Sequence, residues 1–416
     1  MVILGPASRP AAIDLRYPRH NRLHAYNPVL PMTIYPIVLI GALNHVAFTG
    51  SRVAVSLYAL HLGANQVTVG TLISLYALCP ALLSIVIGRF ADRASPRLPM
   101  MVGTVGLGLA LLLPALTPGL TVLYVSSFML GFWNQVCNIP LEAVAGGIGG
   151  ADKRAGNYAL IGMGFSASTF LGPVVAGLAI DHIGYVQAFP ILAAFTVIPM
   201  LMLWFMPAML PTAAKHTAET KRGSVLDLWR IPPLRTTLIA AGIVVSAWDL
   251  FQFYMPIYGH SIGLSASAIG TIIGMVAVAT FTIRAVIPFL IKRLSEAELM
   301  TYAIFTAAFA FTLLPFFENP YALGAVAFLL GLGFGCGQPI SMSLVYVLTP
   351  RERIAEATGL RKTVNQATHF LIPLLFGSVG TAFGFATVFI SNSVMLAAGG
   401  FLMHKVRMPD TENERK

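Results

Sequence analysis

Twelve stretches of about 20 residues or more are apolar and almost free of charge, and they constrain the fold more than anything else in this chain. A hydrocarbon layer of about 30 Å needs a helix of about 20 residues to cross it, and lipid offers no partner to an exposed peptide group, so a spanning stretch satisfies its backbone internally as a helix. The stretches run over 34–61, 67–88, 98–117, 119–146, 156–180, 187–207, 236–260, 266–290, 298–317, 320–348, 359–382 and 384–404. Breaks between them fall at turn chemistry, as in Leu62-Gly63-Ala64-Asn65, Thr117-Pro118-Gly119, Asp181-His182-Ile183-Gly184 and Glu318-Asn319-Pro320. Only 10% of residues are charged and 56% are hydrophobic, against roughly a quarter charged in a soluble domain. A soluble globular enzyme is therefore excluded, and the expectation is an all-α, multi-pass membrane protein in a lipid bilayer.

The net charge of +10 does not point to nucleic acid, because the basic residues lie in short clusters between apolar runs rather than on one solvated face. Counting Arg361 and Lys362, at the very start of segment 11, with the connection before it, all but two of the 26 Lys and Arg residues fall before segment 1, between segments 2–3, 4–5, 6–7, 8–9 and 10–11, or after segment 12. Short cytoplasmic connections hold the excess of basic residues, so twelve spans with both termini cytoplasmic fit the charges. The exceptions, Arg52 and Arg284, lie inside apolar segments. The first thirty residues lack a signal-peptide core and are read as a cytoplasmic tail, 1–33. Cys79, Cys137 and Cys336 stand far apart with no His at metal spacing, so no disulfide frame, metal site or cofactor is expected.

The polar stretch 208–235 divides the chain into a six-helix unit at 34–207 and another at 236–404, followed by a tail at 405–416. A shift of 200 residues places Val69-Gly70-Thr71-Leu72-Ile73 on Ile269-Gly270-Thr271-Ile272-Ile273 and Arg93 on Arg293. The same shift places Gly63 on Gly263, Pro173 on Pro373, Gly177 on Gly377 and Gly184 on Gly384. One fixed offset is what duplication of a six-helix unit leaves, and duplicated halves around a midplane site are a transporter architecture.

After segment 2 the chain reads Gly88-Arg89-Phe90-Ala91-Asp92-Arg93-Ala94-Ser95-Pro96-Arg97. This resembles the loop 2–3 signature of the major facilitator superfamily, G-x-x-x-D-R-x-G-R-R, with Gly88, Asp92, Arg93 and Arg97 matching and Ser95 and Pro96 departing from it. The resemblance covers about 34 to 404 and implies two six-helix bundles that rock about a central cavity. It also implies that Asp92 and Arg93 clamp the cytoplasmic ends of the halves, with the start of segment 11 near Gly359 as a partner, through a contact present in one conformation only. Segment 5 resembles the antiporter signature G-x8-G-x3-G-P-x2-G-G through Ala159, Ser168, Gly172, Pro173, Ala176 and Gly177. Small residues and a proline also serve ordinary tight packing, so this favours export only slightly. Segment 4 lacks the Arg that drug antiporters use in proton coupling.

Ionisable groups in a membrane helix cost roughly 2.5–3.5 kcal/mol each on insertion scales and mark functional sites. His45, Thr49, Arg52 and Ser56 share one face of segment 1; Asn134, Asn138 and Glu142 form a stripe on segment 4. Asp249 and Gln252 lie in segment 7, Arg284 in segment 8, Gln338 in segment 10, and Asn365 and His369 in segment 11. The family's cavity is lined mainly by its helices 1, 4, 7 and 10, which places these stripes where a site is expected. Two arginines, Arg52 and Arg284, stand against two acids, Asp249 and Glu142; either they are locked in ion pairs that serve stability or gating, or protonation of one acid leaves the set positive, which makes an organic anion a candidate cargo and an arginine a candidate grip.

No GxxxxGK[ST] loop supports ATP-driven pumping. The expected function is secondary-active transport of a small organic solute by alternating access, coupled to protons, with export favoured over its alternative, uptake by symport of a metabolite or siderophore-like compound. A non-transporting sensor is a remote third reading, and dispersed polar residues argue against an intramembrane enzyme. The inner membrane of a bacterium is the expected location, and a monomer is compatible with everything above.

Overall fold

The computed structural model describes residues 34–93, 95–148, 151–205, 225–349 and 353–405. The expected tail 1–33, all of the tail 405–416 but Lys405, and most of the central linker lie outside the described residues. Among the described residues every regular element is helical. The first half contains α1 (Tyr35–His61), α2 (Gln66–Arg93), α3 (Arg97–Leu116), α4 (Leu120–Gly147), α5 (Ala151–Ile183), α6 (Ala188–Ala194) and α7 (Val197–Phe205). After the short α8 (Val225–Trp229) come α9 (Pro232–Ser261), α10 (Ala266–Leu290), α11 (Glu296–Leu313), α12 (Pro320–Leu348) and α13 (Ile354–His404).

Ten helices among the described residues are long and apolar enough to cross a membrane, counting α6 and α7 as one span of Ala188–Phe205, and α2 adds an apolar stretch over Gln66–Leu78. The sixth apolar stretch is thus interrupted once, at Phe195-Thr196, where Thr196 turns its hydroxyl back onto the Ala193 carbonyl at 2.8 Å. Helix α13 runs for 51 residues, about 75 Å and more than twice the thickness of the hydrocarbon layer. It breaks at Gly384, whose φ of 79° and ψ of 175° no helical residue adopts. The apolar stretches 359–382 and 384–404 are the two arms on either side of that break.

The 200-residue offset reappears in three dimensions. Gly63 and Gly263, in the turns after α1 and α9, have φ values of 82° and 77°, a left-handed conformation that glycine adopts without steric cost. Helix α5 packs on α10, and α2 packs on α13, so closely that glycine is needed in both seams. A Cβ at Gly270 would lie 2.2 Å from the Pro173 carbonyl oxygen, and one at Gly70 would lie 2.5 Å from that of Pro373. Gly177 and Gly377 stand in the same relation to Ala266 and Gln66, at 2.3 and 3.0 Å from their carbonyl oxygens. These contacts cluster at the end carrying the α1–α2, α5–α6 and α9–α10 turns, here the far end; the opposite end, where the basic connections lie, is the basic end. Polar contacts reinforce the far end: Asp181 accepts from the Ala266 and Ser267 amides at 2.9 and 2.7 Å and from the Ser267 hydroxyl, while the Tyr254 hydroxyl is shared between the Phe376 carbonyl at 2.5 Å and Gln66 Oε1 at 3.1 Å.

Candidate functional site

Between the seams lies a cavity of about 370 Å³ lined by α1, α5, α9, α10, α12 and α13. Its aromatic wall is Phe48, Phe165, Trp248 and Phe334, and the Trp248 and Phe334 rings meet edge-on with centroids 5.7 Å apart. Of the site residues expected from sequence, His45, Arg52, Gln252, Arg284, Gln338, Asn365 and His369 line it.

Asp249 sits behind this lining, 1% exposed, and is the hub of the polar groups. Its Oδ2 bonds the His369 ring Nδ1, and its Oδ1 lies 3.8 Å from Arg52 Nη2. Arg52 comes from α1 and Asp249 from α9, so this ion pair joins the two halves across the cavity. A second tie runs from Arg284 on α10, which donates to the Ser166 hydroxyl of α5 at 3.2 Å and to Gln338 Oε1 and the Gly335 carbonyl at 3.4 Å each. His45 stacks on Phe165 with ring centroids 4.6 Å apart, and its Nδ1 has no hydrogen-bond partner among the described residues.

Helix α4 contributes no residue to the lining. Its stripe is used elsewhere: Asn138 donates to Asn134 Oδ1 at 3.1 Å, and Glu142 pairs with Lys362 of α13 at 3.6 Å, with the two side chains 45% and 68% exposed. Helix α5 lines the cavity in its place through Gly162, Phe165, Ser166 and Thr169. Glu142 therefore does not balance the cavity's charge. The residue missed from sequence is Arg361, which reads as one more basic-loop residue beside Lys362, yet lies inside α13 and lines the cavity at 8% exposure. A signal was available: Arg361, Asn365 and His369 recur at four-residue steps, one helical face.

The loop 2–3 motif divides. Gly88, Asp92 and Arg93 fall in the last turns of α2, and the placement of the Asp92 and Arg93 side chains lies outside the described residues. Arg97 donates through Nε to the Leu203 carbonyl and through Nη2 to that of Trp204, both at 2.7 Å. It thus satisfies carbonyls left open at the end of α7, a role within the first half rather than between halves. Helix α13 starts at Ile354, so Gly359 is internal and not the helix start expected there. On α5, a Cβ at Gly172 would lie 2.7 Å from the Gly50 nitrogen, Pro173 presents its carbonyl to Gly270, and Gly177 meets Ala266. The motif thus lets α5 approach α1 on one side and α10 on the other.

Comparison with known proteins agrees with this geometry. The model of the Major Facilitator Superfamily matches residues 37–373 and 299–416, and the chain belongs to that family. Tetracycline resistance protein, class B, of Escherichia coli is 23% identical over 327 residues, covering 74% of this chain and 78% of its own. Multidrug resistance protein MdtG of Salmonella paratyphi A is 22% identical over 329 residues, covering 77% and 80%. In fold, the nucleoside transporter NupG superposes with a TM-score of 0.76 at 15% identity, over 89% of this chain and all of that one. A peptide transporter, POT, in complex with sulfate gives 0.76 at 14%, over 90% and 94%. The chain is a multi-pass integral membrane transporter and not an enzyme.

Proposed function

We propose that the protein is a proton-coupled, secondary-active transporter of a small organic solute, working by alternating access of the cavity. Two six-helix bundles, 34–207 and 236–404, rock against each other, joined by the linker 208–235. Twelve crossings follow if α2 and each arm of α13 span the membrane, and the basic end then faces the cytoplasm with both termini. In a bacterium this places the protein in the inner membrane.

The observation that carries the coupling is Asp249, buried and held between a guanidinium from the other half and an imidazole from its own. A proton delivered to this cluster neutralises the carboxylate or charges His369, and either event weakens the pull of Asp249 on Arg52. The Arg52–Asp249 tie crosses between the halves, so protonation and rocking act on the same bond. Protonation also lowers the cost of leaving Asp249 unpaired when the halves separate.

The resistance proteins among the relatives support export, and the close α5 packing agrees with it. Uptake by symport uses the same cluster in the opposite sense. The test is solute-driven proton movement in liposomes holding the purified protein. Asp249→Asn is expected to abolish pH-dependent transport while sparing exchange of bound solute, and retention of full proton coupling would overturn the assignment. The direction of proton movement when solute is added on one side separates export from uptake.

A further inference from the structure

The cavity is lined by three guanidinium groups, and among the described residues the one carboxylate paired with its lining, Asp249, is shared between Arg52 and His369. Arg284 and Arg361 are left over: among the described residues neither has a carboxylate within ion-pair distance. Arg361 is the more exceptional. Its side chain is buried, its only hydrogen bond among the described residues is Nη1 to the Ser341 hydroxyl at 3.3 Å, and its Nε has no partner. Four residues along the same face, the Asn365 side-chain oxygen is also unpartnered.

A buried cation without a counter-charge is costly, and a guanidinium offers five donors in a planar fork suited to a carboxylate. Arg284 and Arg361 are anchored one helical turn apart on α12, on Gln338 and Ser341. Both therefore reach the same stretch of the wall. The same space of about 370 Å³ is lined by the rings of Phe48 and Phe165 from the first half and of Trp248 and Phe334 from the second.

The geometry points to Arg284 and Arg361 as the docking pair for an organic anion, a carboxylate carried on a flat apolar body, whose head supplies the missing counter-charge. Resting on the transporter reading above, this assigns the cargo's chemical class and separates its seat from the Asp249 cluster. The carboxylate accepts from the unused N–H groups of the two guanidiniums while the body lies along the rings. A neutral or cationic body of the same shape leaves both arginines uncompensated.

The experiment is equilibrium binding of radiolabelled benzoate, phenylacetate and salicylate to the purified full chain in detergent, with benzamide as the neutral isostere. Saturable binding of at least one of the three acids is expected, with benzamide at least tenfold weaker. Arg361→Gln and Arg284→Gln should each weaken acid binding tenfold or more, and Arg361→Lys should recover part of the loss. Elution profile and thermal midpoint establish that each variant is folded. Absence of saturable binding by all three acids, equal binding of benzamide, or an Arg361→Gln variant within twofold of the parent would overturn the assignment. Acid binding that follows this pattern in a protein that moves no protons in liposomes leaves the docking pair standing and removes the coupling instead.

Discussion

The two seams that close the far end share a backbone and differ in chemistry. In both, a glycine lets one helix meet the carbonyl of a proline, Gly270 against Pro173 and Gly70 against Pro373. Over the α5–α10 seam, however, Asp181 holds the first amides of α10 with a carboxylate, whereas over the α2–α13 seam Gln66 meets the Tyr254 hydroxyl with no charge involved. Position 381, the counterpart of Asp181 under the 200-residue offset, is a threonine. Both seams have the same glycine-to-proline shape because a close helix crossing leaves no room for a Cβ, while their polar latches differ because either chemistry closes the gap.

The largest effect should come from filling the crossings. Gly270→Leu places carbon 2.2 Å from a backbone oxygen that cannot swing aside, and Gly70→Leu does the same at 2.5 Å. Both variants are expected to lose at least tenfold in solute flux with a lowered thermal midpoint; a normal rate in only one of them would show that the halves do not close both seams together. Next, Asp181→Asn removes a charge-assisted contact with a helix N-terminus at an exposed site, about 1 kcal/mol or roughly fivefold toward the state open at the far end. Spin-label distances across that end report the shift. Tyr254→Phe should move the same distances less, by about 0.5–1 kcal/mol, since a neutral hydrogen bond is lost. Raising salt from about 0.05 to 0.5 M should shrink the Asp181 effect and leave the Tyr254 effect alone, and equal salt sensitivity would break the distinction. At the basic end, Glu142→Gln removes a solvent-exposed pair and should change the distances by less than about 0.5 kcal/mol.

Most of the architecture was legible because lipid makes helix existence a matter of composition: the stretch 320–348 and helix α12 have the same limits. Ends were less so, with α5 and α13 starting five residues earlier than read, since polar residues at a helix end do not stop the helix. Within the site, periodicity told which residues share a face but not what that face meets. Asn134, Asn138 and Glu142 form a stripe as expected, yet it turns to Lys362 and to itself instead of the cavity. Arg361 was hidden by its neighbour, because a count of basic residues treats Arg361 and Lys362 alike, although one faces the cavity and the other is 68% exposed. Asp181 looked like turn chemistry for a related reason: its partners lie 85 and 86 residues away.

Trp248 stands in the cavity wall, directly before Asp249 in sequence and edge-on to Phe334 in space, while Trp204 is exposed on the outside of the first half. Indole emission shifts to longer wavelength as water surrounds the ring, so filling and emptying of the cavity should be written into the protein's own fluorescence. A chain in which Trp133, Trp204 and Trp229 are all changed to Phe, leaving Trp248 as its one indole, would report the cavity's wetness in real time, without any attached dye.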